Sequence, residues 1–279
     1  MHPLNKYVQE RVQEVEDLRD LEGFIQQHRS AFVEPKIDGM RVYLFHSQGR
    51  SVMATKRQQV FTAADCPFLN NQVSMPENTI LDCEFVKKTG SIFAFDVVAV
   101  KNEDVRSLPL RERKGILDAM PLEYVQKVPW LELTSAEQVL AAYEKAVKAG
   151  YEGIVVKAPE VPYGTPHAWL KKKRFETFPA FVIAFKETER TRKTGEIWAY
   201  EVGVYDEHMH VQHVCDVSSA VKGVDTSRIR VGTVLELRYH PTPGFKKPRH
   251  PTIVKIRDDM SPEECRVVAV PVPTPTSSG

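Results

Sequence analysis

Cysteine is scarce in this chain, and what there is stands apart. The four cysteines in 279 residues, Cys66, Cys83, Cys215 and Cys265, form no CxxC pair. That argues against a zinc site and leaves no disulfide framework, so small thiols in a reducing compartment are expected. Long apolar runs are also missing. None approaches the length of a membrane span, and the opening MHPLNKYVQERVQEVEDL is polar, with no signal-peptide core. A cytoplasmic protein with no membrane partner is the expectation. Charge of one sign is not in excess either: the net charge is +1, so its distribution has to be read rather than its sum. Between Leu170 and Tyr200, eight basic residues (Lys171, Lys172, Lys173, Arg174, Lys186, Arg190, Arg192, Lys193) face four glutamates. A second basic cluster is 246-KKPR-249, while acidic charge collects in 9-QERVQEVEDLRDLE-22. A basic stripe on a near-neutral protein is therefore expected. There are no internal repeats.

What is present is an ordinary globular composition, 42% hydrophobic and 27% charged, long enough for one large domain or two modest ones. Residues 4–28 carry apolar positions at helical spacing (Leu4, Val8, Val12, Val15, Leu18, Leu21, Ile25), which predicts one or two helices. From 32 to 100 the pattern changes to β-branched and aromatic runs, 32-FV-33, 42-VYLF-45, 51-SVMAT-55, 79-TILDCEFV-86 and 91-SIFAFDVVAV-100, which read as strands. Helical spacing returns at 109–120 and at 134–150. In the latter, Thr134 or Ser135 offers an N-cap, Glu137 can complete a capping box and Gly150 marks the stop. Strands resume at 153-GIVVK-157 and 168-AWLKKK-173. Five more short strands between 180 and 259 suggest a small barrel or sandwich. The Pro/Thr/Ser-rich end, 271-PVPTPTSSG-279, reads as disordered.

Five fragments carry chemistry in order: 36-KIDG-39, 82-DCE-84, 95-FD-96, 152-EGIVVK-157 and 169-WLKKK-173. Singly each is a common pattern: a solvated strand-end lysine, a glycine turn, an amphipathic strand. Together they resemble the covalent nucleotidyltransferases, that is, DNA ligases, RNA ligases and mRNA capping enzymes, over roughly residues 34 to 262. The nucleophile motif KxDGxR corresponds to Lys36, Asp38, Gly39 and Arg41. Arg57 stands where the family has an arginine in a short turn. Glu84 matches the acidic strand motif, Phe95 and Asp96 the aromatic-Asp motif, Glu152 and Lys157 the next acidic motif, and Lys171 and Lys173 the paired-lysine motif.

That chemistry needs an amine attacking the α-phosphate of a nucleotide. A free lysine has a pKa of about 10.4, so nearby Lys157, Lys171 and Lys173 are expected to favour a neutral amine by like-charge repulsion, and then to stabilise phosphate charge. The strand beginning at 42-VYLF-45 would be a rigid mount for the nucleophile. Glu84 and Glu152 are oxygen ligands suited to Mg²⁺ or Mn²⁺, and Phe95 offers a stacking face for the base.

Within the superfamily the resemblance points to ATP-dependent DNA ligases of a minimal two-domain type. The stretch 249-RHPTIVKIRDDMSPEEC-265 looks like their terminal motif, although Thr252 stands where an arginine is frequent and Met260 where a lysine is frequent. Lys255 and Arg257 are left to orient pyrophosphate. Glu34 matches an acidic residue that contacts the adenine amino group and favours ATP over GTP, and 107-SLPLRERKGIL-117 resembles the connection after the aromatic-Asp motif. The segment from Ala158 to Ala168 lacks the arginine that related ligases often carry there. An NAD-dependent ligase would need an upstream nicotinamide-binding domain and usually a four-cysteine zinc module. The resemblance implies an α+β fold: an ATP-grasp-like nucleotidyltransferase domain of antiparallel sheets and flanking helices over 1–178, an OB-type β-barrel over 179–268 and a disordered tail over 269–279. It also implies a monomer that uses ATP and Mg²⁺ to seal nicked duplex DNA. The alternatives are an RNA ligase, a capping guanylyltransferase, and a catalytically silent OB-type nucleic-acid-binding protein.

Overall fold

The structure, a computed structural model, describes residues 13–15, 18–70, 73–186, 199–219, 223–241 and 247–266. Leu4, Val8 and Val12, the basic residues Arg190, Arg192, Lys193 and Lys246, and the tail over 269–279 lie outside the described residues. The chain divides into two compact units, Met1–Lys173 and Arg174–Gly279.

The first unit contains β1 (Gln13–Glu14), α1 (Leu18–His28), β2 (Ala31–Lys36), β3 (Met40–Ser47), β4 (Arg50–Thr55), β5 (Val60–Phe61), β6 (Thr79–Val86), β7 (Ser91–Val100), β8 (Glu103–Asp104), α2 (Leu110–Ala119), β9 (Val125–Lys127), β10 (Leu131–Leu133), α3 (Ala136–Lys148), β11 (Gly153–Lys157) and β12 (Trp169–Lys173). Two sheets result. One has the order β1-β12-β11-β2-β10; the other runs β5-β4-β3-β6-β7-β8, with β9 joining β7. Pairing is antiparallel except for β1 with β12 and β9 with β7. Of the helical spacing expected across residues 4–28, the described part forms one helix, α1. The polar pair ahead of it is a short strand, and Val15 is buried beside that strand.

Side chains alternate along a strand, and that alternation organises the first sheet. Val33, Ile154, Val156 and Leu170 face a core shared with Leu21, Phe24 and Ile25 of α1 and Val139 of α3. The opposite set faces a cleft. Ser135 caps α3 by accepting from Gln138 N, while Gln138 Oε1 reaches back to Thr134 N. The reciprocal partner is thus Gln138 rather than the expected Glu137, because Ser135 is the cap and Gln138 stands three residues after it.

The second unit is a five-stranded antiparallel sheet of β13 (Glu176–Lys186), β14 (Ala199–Tyr205), β15 (Val211–Ser218), β16 (Val234–His240) and β17 (Arg249–Ile256), ordered β15-β14-β13-β16-β17. Register shifts interrupt three of its four pairings, a device that bends and coils strands. Phe178, Val182, Val202, Leu235 and Leu237 form its core.

Candidate active site

Lys36 is not mounted on the run 42-VYLF-45. It ends β2, in one sheet, and the chain then crosses through 37-IDG-39 to β3 in the other. Gly39 makes the crossing possible: a Cβ there would lie 2.6 Å from Phe85 O and 3.0 Å from Glu84 Cγ. The K-x-D-G sequence is therefore a passage between two sheets, and the cleft lies along it.

Three neighbouring strands set the floor. Gly153 is paired with Lys36 on one side and Lys173 on the other; Val155 pairs with Glu34 and Lys171, and Lys157 with Phe32 and Trp169. Alternation then turns Glu34, Lys36, Val155, Lys157, Trp169, Lys171 and Lys173 to the same side, and all line a cavity of about 290 Å³. Lys172, one residue out of phase, points away and lies over the Tyr143 ring at 5.2 Å. Gly153 has φ +149°, and a Cβ there would meet Lys172 O at 2.0 Å. No other residue type fits that close approach.

Arg41, Glu84 and Phe95 come from the second sheet. Phe95 owes its place to a bulge: Asp82 pairs with Asp96 and Cys83 with Ala94, leaving Phe95 as the extra residue. Bulges re-aim side chains in this way beside functional sites. Trp169 meets Phe95 edge-on, with centroids 5.9 Å apart. Lys157 Nζ lies 3.9 Å from the Trp169 centroid and 4.6 Å from that of Phe95, a cation–π arrangement.

The immediate partner of Lys36 is a carboxylate, not another lysine. Glu152 Oε2 is 2.5 Å from Lys36 Nζ, and its Oε1 is 2.7 Å from Lys173 Nζ. Burial pushes the Glu152 carboxyl up, but the charge of Lys36 and the hydrogen bonds from both lysines outweigh it and hold the group below the usual carboxylate range. Glu84 goes the other way. Burial raises it, and Asp82 and Glu152 add to that against Lys36 and Arg41, leaving it at about 7. Arg41 is clasped by Asp82 at 2.9 and 2.5 Å, and Tyr163 donates to the same carboxylate at 2.7 Å. Burial alone would lower the guanidinium, but Asp82 drives it well above its ordinary value.

Glu34, expected to meet a base, lines the cavity and is buried between two lysines. Lys114 pairs with Oε1, and Lys157 lies 2.7 Å from Oε2. These are ion pairs by distance that fall short of hydrogen-bond geometry. Lys157 is lowered by burial and by Lys114, against the pull of Glu34. Lys171 reaches Glu14 at 3.7 Å. Asp38 is exposed within the crossing, and Arg57 is exposed on the turn after β4; neither lines the cavity. In the second unit Lys255 is exposed on β17, and Arg257 is held by Asp259 at 2.8 and 2.9 Å and by Glu236 at 2.6 Å.

Two cleft carboxylates fall short of a metal cage, and among the described residues no group of three His, Cys, Asp or Glu side chains could hold an ion. Glu84 and Glu152 nevertheless fit a hard cation that keeps waters and takes phosphate oxygens, the habit of Mg²⁺. The raised Glu84 carboxyl is the kind of strain a divalent charge relieves. The histidines of 208–213 join no such group, and the four cysteines are free and buried. Among the described residues no helix is long and apolar enough to cross a membrane.

Sequence reasoning missed Trp169, Asp82, Tyr163 and Lys114. Trp169 shares the phase of Lys171 and Lys173, a signal that was available. Lys114 and Tyr163 reach the cleft residues only through the fold.

Residues 86–173 match the family model described as "ATP dependent DNA ligase domain". A relative named "DNA ligase 2" from Methanosarcina mazei is 25% identical over 89% of this chain and 56% of its own length. The chain spans about half the length of the curated relatives it matches. Among solved structures, "Pmar-Lig_Pre." superposes with TM-score 0.65 at 18% identity, over 90% of this chain and 68% of that one. One described as "DNA binding with a minimal scaffold: Structure-function analysis of Lig E DNA ligases" gives TM-score 0.63 at 15% identity, over 90% and 99%. The fold is that of these ligase nucleotidyltransferase structures, and in sequence the chain is similar to ATP-dependent DNA ligases, over residues 86–173 to the family's own domain.

Proposed function

We propose that this chain carries out ATP-dependent DNA ligation, with Lys36 as the nucleophile that takes up AMP. The observation that carries the reading is that Lys36 lines a cavity together with Lys157, Lys171, Lys173, Arg41 and Phe95. Such a set binds a polyphosphate at one end and a flat base at the other. The Lys36 ammonium gives up a proton, for which the Glu152 oxygen at 2.5 Å is the nearest acceptor. The neutral amine then attacks the α-phosphorus of ATP. A P–N bond forms as the P–O bond to pyrophosphate breaks. Lys171 and Lys173 hold the charge that develops on the phosphate oxygens, and Lys173 exchanges Glu152 for phosphate as it does so. Glu84 and Glu152 would hold Mg²⁺ or Mn²⁺, which when bound neutralises the triphosphate. AMP then passes to a DNA 5′-phosphate, and the 3′-OH displaces it.

For Asp38, Arg57, Lys255 and Arg257 the support is the family resemblance alone, as it is for an OB-type barrel in the second unit. The coiled five-stranded antiparallel sheet is compatible with that barrel. Strand alternation divides the basic run over 171–174: Lys171 and Lys173 line the cavity, while Lys172 points away from it, over the Tyr143 ring.

The test is a panel in which the chain is incubated with labelled ATP or GTP and with nicked duplex DNA or nicked RNA. Covalent label from ATP and sealing of the DNA nick are expected. Label from GTP only, or sealing of RNA only, would contradict the reading.

A further inference from the structure

One buried group takes no part in the chemistry above. Lys114 sits on α2, outside the walls of the cleft, with its side chain shielded from water. Its ammonium is ion-paired with Glu34 Oε1, while Lys157 holds Oε2. On the same helix Arg113 forms a fully buried two-pronged pair with Asp96 of β7, at 2.9 and 3.0 Å. Successive helix positions point about 100° apart, so α2 can pin one carboxylate in each sheet.

The triad is unequal: Asp96 is paired with Arg113, and Glu34 lies between two buried lysines. Only Lys157 lines the cleft, and an incoming phosphate gives it somewhere to go. Glu34, 2% exposed with both lysines in place, lines the cleft, and Lys114 pairs with its Oε1 from α2. Once Lys157 leaves, that pair still fixes the orientation of the carboxylate.

We propose that Lys114 is a positioning residue for base recognition: it holds Glu34 through Oε1, so that Oε2, once released by Lys157, accepts a hydrogen bond from the exocyclic amine of a purine. The inference rests on the nucleotidyl-transfer reading. Preference for a 6-amino over a 6-oxo purine then depends on a lysine that touches neither nucleotide nor reacting atoms, because an ionised carboxylate accepts from an amine and repels a carbonyl oxygen.

The experiment uses the full chain with Mg²⁺ and two triphosphates: ATP, and purine riboside triphosphate, which lacks the exocyclic amine. Formation of the covalent nucleotide adduct gives KM and kcat for each. In the unaltered protein ATP should be favoured through KM by about tenfold or more, the size of one charge-assisted hydrogen bond. Lys114→Met should erase most of that preference by raising KM for ATP, with KM for the amine-free analogue and both kcat values little changed. Lys114→Arg, which keeps the charge, should restore part of it. Equal KM values in the unaltered protein overturn the proposal without any variant, which covers the case in which Lys114→Met does not fold. A folded Lys114→Met protein that slows both nucleotides alike also overturns it. Absence of any adduct from either triphosphate overturns the transfer reading and this inference together, and so is distinct from loss of the preference alone.

Discussion

In the first unit Glu34, Asp82, Asp96, Arg113, Lys114 and Lys157 are all buried; in the second no described charged side chain is. There, the pairs Arg228–Asp258 and Arg257–Asp259 each involve exposed groups, and the interior is Phe178, Val182, Leu235 and their apolar neighbours. Taking charge out of water costs several kcal/mol per ion unless it is well paired. A unit that only had to fold would do as the second does. The first unit accepts that cost because its cleft needs charges held at fixed positions, and each buried ion is answered by a partner from another element: α2 against β7 and β2, β3 against β6, β11 against β2. Two of these pairs, from Arg113 and Lys114 on α2, reach one carboxylate in each sheet.

The sharpest way to break that contrast is to remove one partner of a fully buried pair. Arg113→Met strands the Asp96 carboxylate and should destabilise the protein by about 3–5 kcal/mol, read as a fall in the denaturant midpoint. A loss below about 1 kcal/mol would place this pair with the surface ones.

A pH series probes the cleft itself. In the metal-free protein the Glu84 carboxyl sits at about 7, against an ordinary 4.5. Between those values the folded state holds a proton that the unfolded state has released, so stability falls as pH rises through the window. The loss from this group totals about 3 kcal/mol. Glu84→Gln should flatten that part of the stability–pH curve, measured by urea melts from pH 4.5 to 7.5. An unchanged slope would mean that Glu84 is an ordinary exposed carboxylate.

The smallest effect belongs to the second unit. Arg228→Ala removes an exposed pair with Asp258 and should shift stability by about 1 kcal/mol or less. A larger change, seen in the same denaturant experiment, would show that the second unit depends on its charges after all.

Much of the cleft was legible through the motifs that resemble those of nucleotidyltransferases, and strand alternation explains why their residues share a face: Glu34 with Lys36, Lys171 with Lys173, Gly153 with Lys157. Phe95 was picked out, but the bulge that aims it depends on the register against β6, which no local pattern encodes. The passage of 36-KIDG-39 from one sheet to the other was invisible for the same reason, and the lysine was assigned to the wrong strand. The pairing of Glu34 with Lys114 could not be read, because Lys114 lies 80 positions away in the sequence and joins it only when α2 packs down. The like-charge surroundings expected for Lys36 are present in the cleft, but Glu152 stands between, and only the pairing of Gly153 with both flanking strands reveals that.

The central claim is that Lys36, held by Glu152 at the end of β2, is the group that accepts AMP. The measurement is incubation of the chain with ATP labelled at the α-phosphate and Mg²⁺, followed by denaturing separation and mapping of the labelled peptide, in the unaltered protein and in Lys36→Ala. The account predicts one acid-labile AMP adduct on the peptide containing Lys36, and none in the variant. An adduct that persists in Lys36→Ala, or that maps to any other lysine of the cleft, would contradict it.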